Sequence, residues 1–271
     1  MIEPVVLCWA SPGTVSNRFM DSVLRLMTAS SEAVRQGIRP DPAIRGYSFV
    51  ESGPRIASAR NRLVRDFLAN PIYKNVEWLL MLDSDMTFDE NLLPALFEGM
   101  RDEAGKVLHP IVGGLCFGGG HDGIFPTMYE IVDPASNNNN PVKVITEFFE
   151  GEQVQVDATG AACLLVHRGV YEHLATIYEE PSPWFSESVY KGHEFGEDWT
   201  FCLRARSQGF EIQVNTAAKV GHMKSIKLTE ETWRTGTLGL KRLAPPLKLV
   251  ERPLAPVLQM NRESRRKAGK R

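Results

Sequence analysis

The sequence lacks the features that would place the chain in a membrane or on a secretory route. No stretch of its 271 residues approaches the roughly 20 consecutive apolar residues that a membrane-spanning helix needs. The first residues also lack the basic and then apolar layout of a secretory signal. We therefore expect a protein without a transmembrane segment that stays in the cytoplasm.

Cysteine is scarce and widely spaced. Cys8, Cys116, Cys163 and Cys202 each lie in an apolar run, without the close pairing that is typical of zinc sites or disulfide frameworks. We expect four reduced and mostly buried thiols. Internal repeats are also absent, which argues against a solenoid architecture.

Charge is unevenly distributed along the chain. Residues 241–271 carry ten Lys or Arg against two Glu, which leaves 21 basic and 31 acidic residues before them. A basic tail is typical of segments that bind nucleic acid or an anionic membrane surface, and also of solvated extensions. With its several prolines, this composition predicts a folded domain over residues 1–243 and a basic, Pro-containing C-terminal arm over residues 244–271.

Apolar runs and helical periodicities alternate over the first hundred residues. Strands are predicted at the start of the chain and at 47–51 and 77–82, and helices at 17–36 and 56–68. This alternation predicts an α/β fold with a mostly parallel central sheet and helices on both faces. Further strands, at 107–116, 127–132, 142–147 and 161–167, are broken by Gly-rich and Asn-rich loops, which indicates a small antiparallel addition.

Two carboxylates follow the third predicted strand, within Asp83-Ser84-Asp85. In an open parallel sheet, ligands gather beyond the carboxyl ends of the strands, so both side chains lie where a site is expected. Their oxygen atoms suit Mg²⁺ or Mn²⁺, with a diphosphate completing the coordination. The alternative is that one of them caps the helix predicted from about Asn91 or ends the strand in a turn.

The residues around this motif resemble the GT-A superfamily of glycosyltransferases, and family-2-like members in particular. The resemblance rests on Leu-Met-Leu-Asp-Ser-Asp at 80–85, Ala-Arg-Asn at 59–61, Gly-Glu-Asp-Trp at 196–199 and Val-Gly-His at 220–222, and it covers most of residues 4–224. It implies the GT-A fold for nucleotide-diphospho-sugar transfer. It also implies a nucleotide-sugar donor, most simply a UDP-sugar, and a Mn²⁺ or Mg²⁺ cofactor.

The same resemblance assigns roles to particular residues. The metal ligands are Asp85 and His222. The donor-binding residues comprise those at the strand ends, those that face the phosphates and the small residues that form the wall of the sugar pocket: Ser11, Arg60, Asp83, Ser84, Gly160, Ala161 and Lys224. Arg60 is expected to neutralise the diphosphate, although an arginine-rich helix can simply be solvated on one face.

The catalytic base is expected in the acidic pair Glu197-Asp198. By position the role falls on Asp198, with Glu197 as its rival, and the flanking aromatic side chains would raise the basicity of a carboxylate by desolvation. The structural alternative is an acidic N-terminus of the helix predicted over 199–207, which favours the helix dipole. An inverting mechanism is favoured, and a retaining one stays open.

Other functions also stay open. A sugar nucleotidyltransferase shares the broad fold, but usually carries a basic, Gly-rich loop after the first strand, whereas residues 11–15 read Ser-Pro-Gly-Thr-Val. The other rival is a non-catalytic module that binds carbohydrate or nucleic acid. The chain also resembles soluble bacteriophage glycosyltransferases, some of which modify hydroxylated bases in DNA, so a hydroxymethylated pyrimidine is one expected acceptor. A surface glycan, a lipid or a protein are the alternatives.

Overall fold

The apolar runs of the sequence form one central sheet in the computed structural model, which describes residues 2–120 and 123–225. The strands in chain order are β1 (Val5–Ser11), β2 (Ile44–Glu51), β3 (Trp78–Asp83), β4 (Met86–Thr87), β5 (Ile111–Leu115), β6 (Phe117–Gly120), β7 (Gly123–Pro126), β8 (Met128–Ile131), β9 (Val142–Val144), β10 (Gln153–Val156), β11 (Ala158–Thr159), β12 (Cys163–His167), β13 (Ser188–Tyr190), β14 (His193–Phe195), β15 (Ile212–Lys219) and β16 (Gly221–His222). The α-helices are α1 (Asn17–Arg35), α2 (Ile56–Ala69), α3 (Leu92–Leu96), α4 (Arg168–Ala175) and α5 (Glu197–Ser207).

Seven strands form the central sheet in the spatial order β10-β15-β5-β12-β3-β1-β2. The neighbours β2, β1 and β3 are parallel, as are β5 and β15, whereas β12 is antiparallel to both β3 and β5. Strand β10 is antiparallel to β15. Five strands therefore run in one direction and two in the other. Together with the small antiparallel sheet β11-β8-β9, this confirms the predicted fold class.

Helices cover both faces of this sheet. Alternate residues of β1 point to opposite faces, so that Leu7 and Trp9 pack on the side of α1 and α3, while Val6 and Cys8 pack on the side of α2, α4 and α5. Burial on both faces explains why the inner strands read as continuous apolar runs. All four cysteines are free and buried, as the sequence predicts.

Most element boundaries agree with the sequence within a few residues. Helix α1 begins after Ser16, whose hydroxyl accepts from a backbone N–H of the first turn, and it ends before Gly37, which adopts a φ of +70°. Helix α5 begins two residues earlier than expected, at Glu197. Both acidic residues therefore lie in its first turn, where the helix dipole favours negative charge.

Residues 226–271, and with them the predicted C-terminal arm, lie outside the described residues, as do Met1, His121 and Asp122. Among the helices within 2–120 and 123–225, none is long and apolar enough to cross a membrane.

The carboxyl ends of the parallel strands meet at one edge of the sheet. Ser11 lies opposite Glu51, and Ala10 opposite Asp83. A short ladder between β4 and β16 extends this edge, because His222 pairs with Met86, the residue after Asp85. The backbone pairing thus places residues 85 and 222 side by side, although they are far apart in the sequence.

Gly221 is required by this short ladder, and we predict a measurable cost for Gly221→Ala. A Cβ atom at this position would lie 2.5 Å from Oγ1 of Thr87, so either the Thr87 side chain or the backbone of the ladder must shift. Overpacking of this kind costs about 1–3 kcal/mol in the free energy of unfolding, which urea denaturation measures.

Two further variants test the cause. Thr87→Ala combined with Gly221→Ala should recover most of the loss, because it removes the clashing oxygen. Gly119→Ala serves as the control, since a Cβ there meets no atom within 4 Å. An unchanged free energy of unfolding in Gly221→Ala would contradict the prediction.

Candidate active site

Asp85 and His222 form the first part of the site. Nε2 of His222 lies 3.1 Å from Oδ2 of Asp85, and Nζ of Lys224 lies 3.9 Å from the same oxygen. The hydrogen bond to Asp85 raises the pKa of His222 despite partial burial. Burial alone would raise the pKa of Asp85, but His222 and Lys224 outweigh it and lower this pKa. The contact therefore favours a protonated His222 ring beside an ionised Asp85 carboxylate.

The His222 ring is oriented in the way that metal-binding histidines usually are. Its Nδ1 donates to the backbone carbonyl of Phe117 at 2.8 Å, which leaves Nε2 to donate to Asp85, and the same nitrogen would offer its lone pair to a cation once it is deprotonated. Histidine ligands commonly use their second nitrogen for such a carbonyl contact. The chemistry of the two donors, an imidazole nitrogen and a carboxylate oxygen, suits Mn²⁺ and, more weakly, Mg²⁺.

Asp85 and His222 are the two metal-ligand types that meet at this point, and in this structure their 3.1 Å contact is a hydrogen bond. Within the described residues no group of three or more His, Cys, Asp or Glu side chains is arranged to hold a metal. In the described residues, Asp85 and His222 therefore meet as a pair without a third side chain of these types.

Asp83 belongs to a second, separate charge cluster. Nη2 of Arg60 donates to Oδ1 of Asp83 at 2.8 Å, and Nη1 of the same guanidinium donates to Oε1 of Glu197. Arg60 is only 4% exposed, whereas Asp83 is half-buried. One guanidinium therefore joins the end of β3 to the first turn of α5.

Asp198 lies beside this cluster in an aromatic environment. Burial raises its pKa, Arg60 opposes the shift, and the neighbouring Glu197 adds to it. The backbone N–H of Trp199 donates to Oδ1 at 2.8 Å, and the Trp199 ring packs against Tyr129 with 4.9 Å between ring centroids. A partly buried carboxylate with raised basicity and free acceptor capacity is suited to take a proton.

The predicted sugar-pocket residues take different positions. A Cβ on Gly160 would lie 3.6 Å from Oδ2 of Asp198, so the bare backbone of Gly160 leaves space directly at that carboxylate. Ala161 is 1% exposed and packs in the core. Its side chain is therefore enclosed by the core and does not border open space next to Gly160.

Ser11 and Ser84 are both buried at the strand ends. The Ser11 hydroxyl donates to the carbonyl of Thr14 at 2.9 Å and accepts from the N–H of Gly13, which shapes the loop after β1. The carbonyl of Ser84 accepts from the N–H of Ser16, at the start of α1. Both serines thus shape the backbone at this edge of the sheet.

An aromatic cavity opens beside Ser11, and the sequence interpretation missed it. Its volume is about 510 Å³, and it lies between α1 and the edge strand β2. Trp9 stacks with Tyr47 and with Phe49, with 5.5 and 5.6 Å between ring centroids, and Glu51 lies at its polar end. Tyr47 and Phe49 are half exposed or more. Their alternation on one strand was the available signal, because residues two apart share a face.

Comparisons with known proteins give similarity in structure alone. No family model matches the sequence, and no curated protein is similar to it in sequence. The chain is similar to A197 from STIV at 16% identity and a TM-score of 0.45, over 82% of this chain and 86% of that chain. It is similar to GalNAc-T7, solved with UDP, GalNAc and Mn²⁺, at 11% identity and a TM-score of 0.49. That match covers 82% of this chain but only 44% of the GalNAc-T7 chain.

A third similar structure is the inositol-1-phosphate CTP transferase from T. maritima, at 12% identity and a TM-score of 0.38, over 88% of this chain and 96% of that chain. The expected resemblance to glycosyltransferase structures is thus found, and a nucleotide transferase resembles the chain as well. Because all three TM-scores are below 0.5, the function proposed below rests on the side chains of the site.

We predict that metal-free His222 titrates above the ordinary histidine pKa of about 6.5. The Asp85 carboxylate stabilises the protonated ring, so Asp85→Asn should lower the His222 pKa. The measurement is NMR titration of the ring nitrogens in both proteins. Glu90→Gln, which removes an exposed carboxylate nearby in the chain, should leave the titration unchanged. An equal pKa in the wild type and Asp85→Asn would show that the contact does not form in solution.

Proposed function

We propose that the chain is a metal-dependent glycosyltransferase that moves a sugar from a nucleotide-sugar donor, most simply a UDP-sugar, to an acceptor hydroxyl. The observation that carries the proposal is the contact between Asp85 and His222, which lie 137 residues apart in the sequence. The contact forms at the sheet edge where Asp83 and the Glu197-Asp198 pair also lie. A structural role alone gives no reason for an oriented imidazole, two acidic clusters and a cavity to share one edge.

The donor diphosphate is the group that this arrangement suits. Asp85 and His222 would hold Mn²⁺ or Mg²⁺, which when bound neutralises the charge that develops on the leaving diphosphate. Lys224 is exposed beside Asp85 and faces the same phosphates. Together they concentrate positive charge at one point of an otherwise acidic edge.

The nucleoside is accommodated on the other side of Asp83. The half-buried Asp83 carboxylate accepts hydrogen bonds from the ribose hydroxyls, while Arg60 holds its other oxygen. The base enters the cavity at Trp9, Tyr47 and Phe49, where flat rings favour stacking, and Glu51 supplies an acceptor at the polar end. The volume of this cavity and its aromatic lining support a nucleotide donor.

Asp198 is the proposed general base. Its carboxylate takes the proton from the acceptor hydroxyl, and the acceptor oxygen forms a bond to the anomeric carbon as the bond from that carbon to the diphosphate breaks. Gly160 leaves room for the sugar at this carboxylate. Attack from the side opposite the diphosphate gives inversion. Glu197 is the less favoured base, because it is already paired with Arg60.

The acceptor we propose is a hydroxymethylated pyrimidine in DNA. The support is the basic composition of residues 241–271, which suits a polyanion. The decisive experiment presents purified protein and Mn²⁺ with a panel of labelled nucleotide sugars and four acceptor classes: hydroxymethylated DNA, a glycan, a lipid-linked sugar and a protein. Transfer to one of the other three acceptors would change the proposed acceptor and leave the proposed glycosyltransferase activity unchanged. Formation of nucleotide sugar from a sugar phosphate and a nucleoside triphosphate would favour the nucleotidyltransferase instead.

Removal of the proposed metal ligand should abolish metal-dependent binding. We expect Asp85→Ala to lose Mn²⁺-dependent affinity for UDP, measured by calorimetry, together with turnover. Glu90→Ala, an exposed acidic residue nearby, is the matched control and should bind UDP as the wild type does. Full turnover of the wild type in the presence of a chelator would refute metal dependence.

Removal of the proposed base should separate chemistry from binding. Asp198→Asn should keep UDP affinity but lower turnover by about two to four powers of ten, the usual effect of losing a general base. Because burial raises the pKa of Asp198, wild-type turnover should fall with decreasing pH above the range of an ordinary carboxylate. A larger turnover defect in Glu197→Gln would exchange the two roles, and an equal loss of affinity and turnover in Asp198→Asn would make Asp198 structural.

A further inference from the structure

Arg60 is the most deeply buried cation of the site, and both ends of its guanidinium fork are already occupied. Nη2 contacts Asp83 at 2.8 Å and Nη1 contacts Glu197, while the guanidinium carbon lies 5.9 Å from the centre of the Phe185 ring. Within the described residues, Nε has no hydrogen-bond partner. The fork therefore points at protein carboxylates.

The surroundings explain why a charged side chain is stable at this depth. Burial by itself disfavours the guanidinium, but Asp83, Glu197 and Asp198 outweigh it, and the pKa of Arg60 is raised. The dependence is mutual, because three neighbouring carboxylates without a cation would repel one another. A buried charge that loses its partner is strongly destabilising.

The next residue of α2 makes a second set of contacts. The Asn61 amide donates to the carbonyl of Phe185 at 2.6 Å and accepts from the backbone N–H of Phe185 at 3.3 Å. Asn61 is 1% exposed. Two consecutive residues of one helix therefore hold the end of β3, the first turn of α5 and the segment at Phe185. These segments carry the donor-side and acceptor-side residues of the proposed reaction.

We propose that Arg60 is a positioning residue: it sets the separation between Asp83 on the donor side and the Glu197-Asp198 turn on the acceptor side. This inference rests on the proposed function and replaces the diphosphate contact that the sequence suggested for Arg60. Both Nη atoms already donate to protein carboxylates, and the side chain is too deeply buried to present its remaining N–H groups to a diphosphate at the surface. Arg60 thus acts on the reaction through the carboxylates it holds.

The first test needs no substrate. Urea unfolding of the wild type, Arg60→Met, Glu197→Gln and the double variant forms a double-mutant cycle. If Arg60 acts through Glu197, the double variant should unfold at nearly the same urea concentration as Arg60→Met alone. The effects of the two substitutions on the unfolding midpoint are then not additive. Arg62→Met, an exposed arginine of the same helix, should be additive with Glu197→Gln. Additive effects of Arg60→Met and Glu197→Gln would overturn the inference. If Arg60→Met fails to fold, Arg60→Lys takes its place in the cycle.

The second test uses turnover and donor affinity. Arg60→Met should lower kcat at least tenfold and change UDP affinity less than threefold. If Arg60 instead bound the diphosphate, the same substitution should lower UDP affinity as much as it lowers kcat. The acid limb of the pH profile should also move to higher pH, because Asp198 loses its cation. The charged and titratable groups that remain around Asp198 are Asp83, Glu197, Tyr129 and Cys202. Arg60→Lys keeps the positive charge. It should therefore restore the position of the acid limb of the pH profile more fully than it restores kcat.

The two tests fail in different ways. A wild-type protein that neither binds UDP with Mn²⁺ nor turns over any nucleotide sugar refutes the proposed function, and the unfolding cycle still decides whether Arg60 joins the two segments. A wild-type enzyme that works, with an Arg60→Met variant that loses affinity but keeps kcat and its pH profile, refutes the positioning role alone.

Discussion

The balance of charge at one edge of the sheet is the constraint on which the site depends. Asp83 lies far in the sequence from the consecutive pair Glu197 and Asp198, and the mutual repulsion of the three carboxylates is relieved by a single buried guanidinium. The guanidinium of Arg60 stays charged at this depth because these carboxylates outweigh the cost of its burial. The position of α5 relative to β3 is therefore tied to an ion pair as well as to apolar packing.

The Asp85 carboxylate is stabilised by a different partner. Asp85 lies beyond the reach of that cluster and meets His222 across the short ladder of β4 and β16. Here the local cation is an imidazole, and the carbonyl of Phe117 directs its second nitrogen toward the carboxylate. Two neighbouring aspartates thus have separate partners. In the function we propose, one of them contacts the ribose and the other a metal with its diphosphate.

Much of the fold was predictable because each strand and helix is a local pattern. The run at 78–82 is apolar on every residue because β3 is covered on both faces, and α1 ends where Gly37 allows a positive φ. The end of a core strand drew attention to Asp83 and Asp85, whereas their roles and that of Asp198 were nominated by the resemblance to the GT-A superfamily. The aromatic cavity was missed because Trp9 and Tyr47 belong to different strands, and only their parallel pairing brings the rings together.

The sequence by itself determined the α/β class, the burial of the cysteines and the acidic motif at the end of a core strand, because periodicity and strand ends are properties of short segments. Only the tertiary structure decided the partners. Arg60 reads as one of several arginines on a helix, and its burial between two carboxylates follows from the packing of α2 against the sheet and the placement of α5. Long-range pairing depends on how elements assemble, and side-chain contacts between segments more than a hundred residues apart have no local signature.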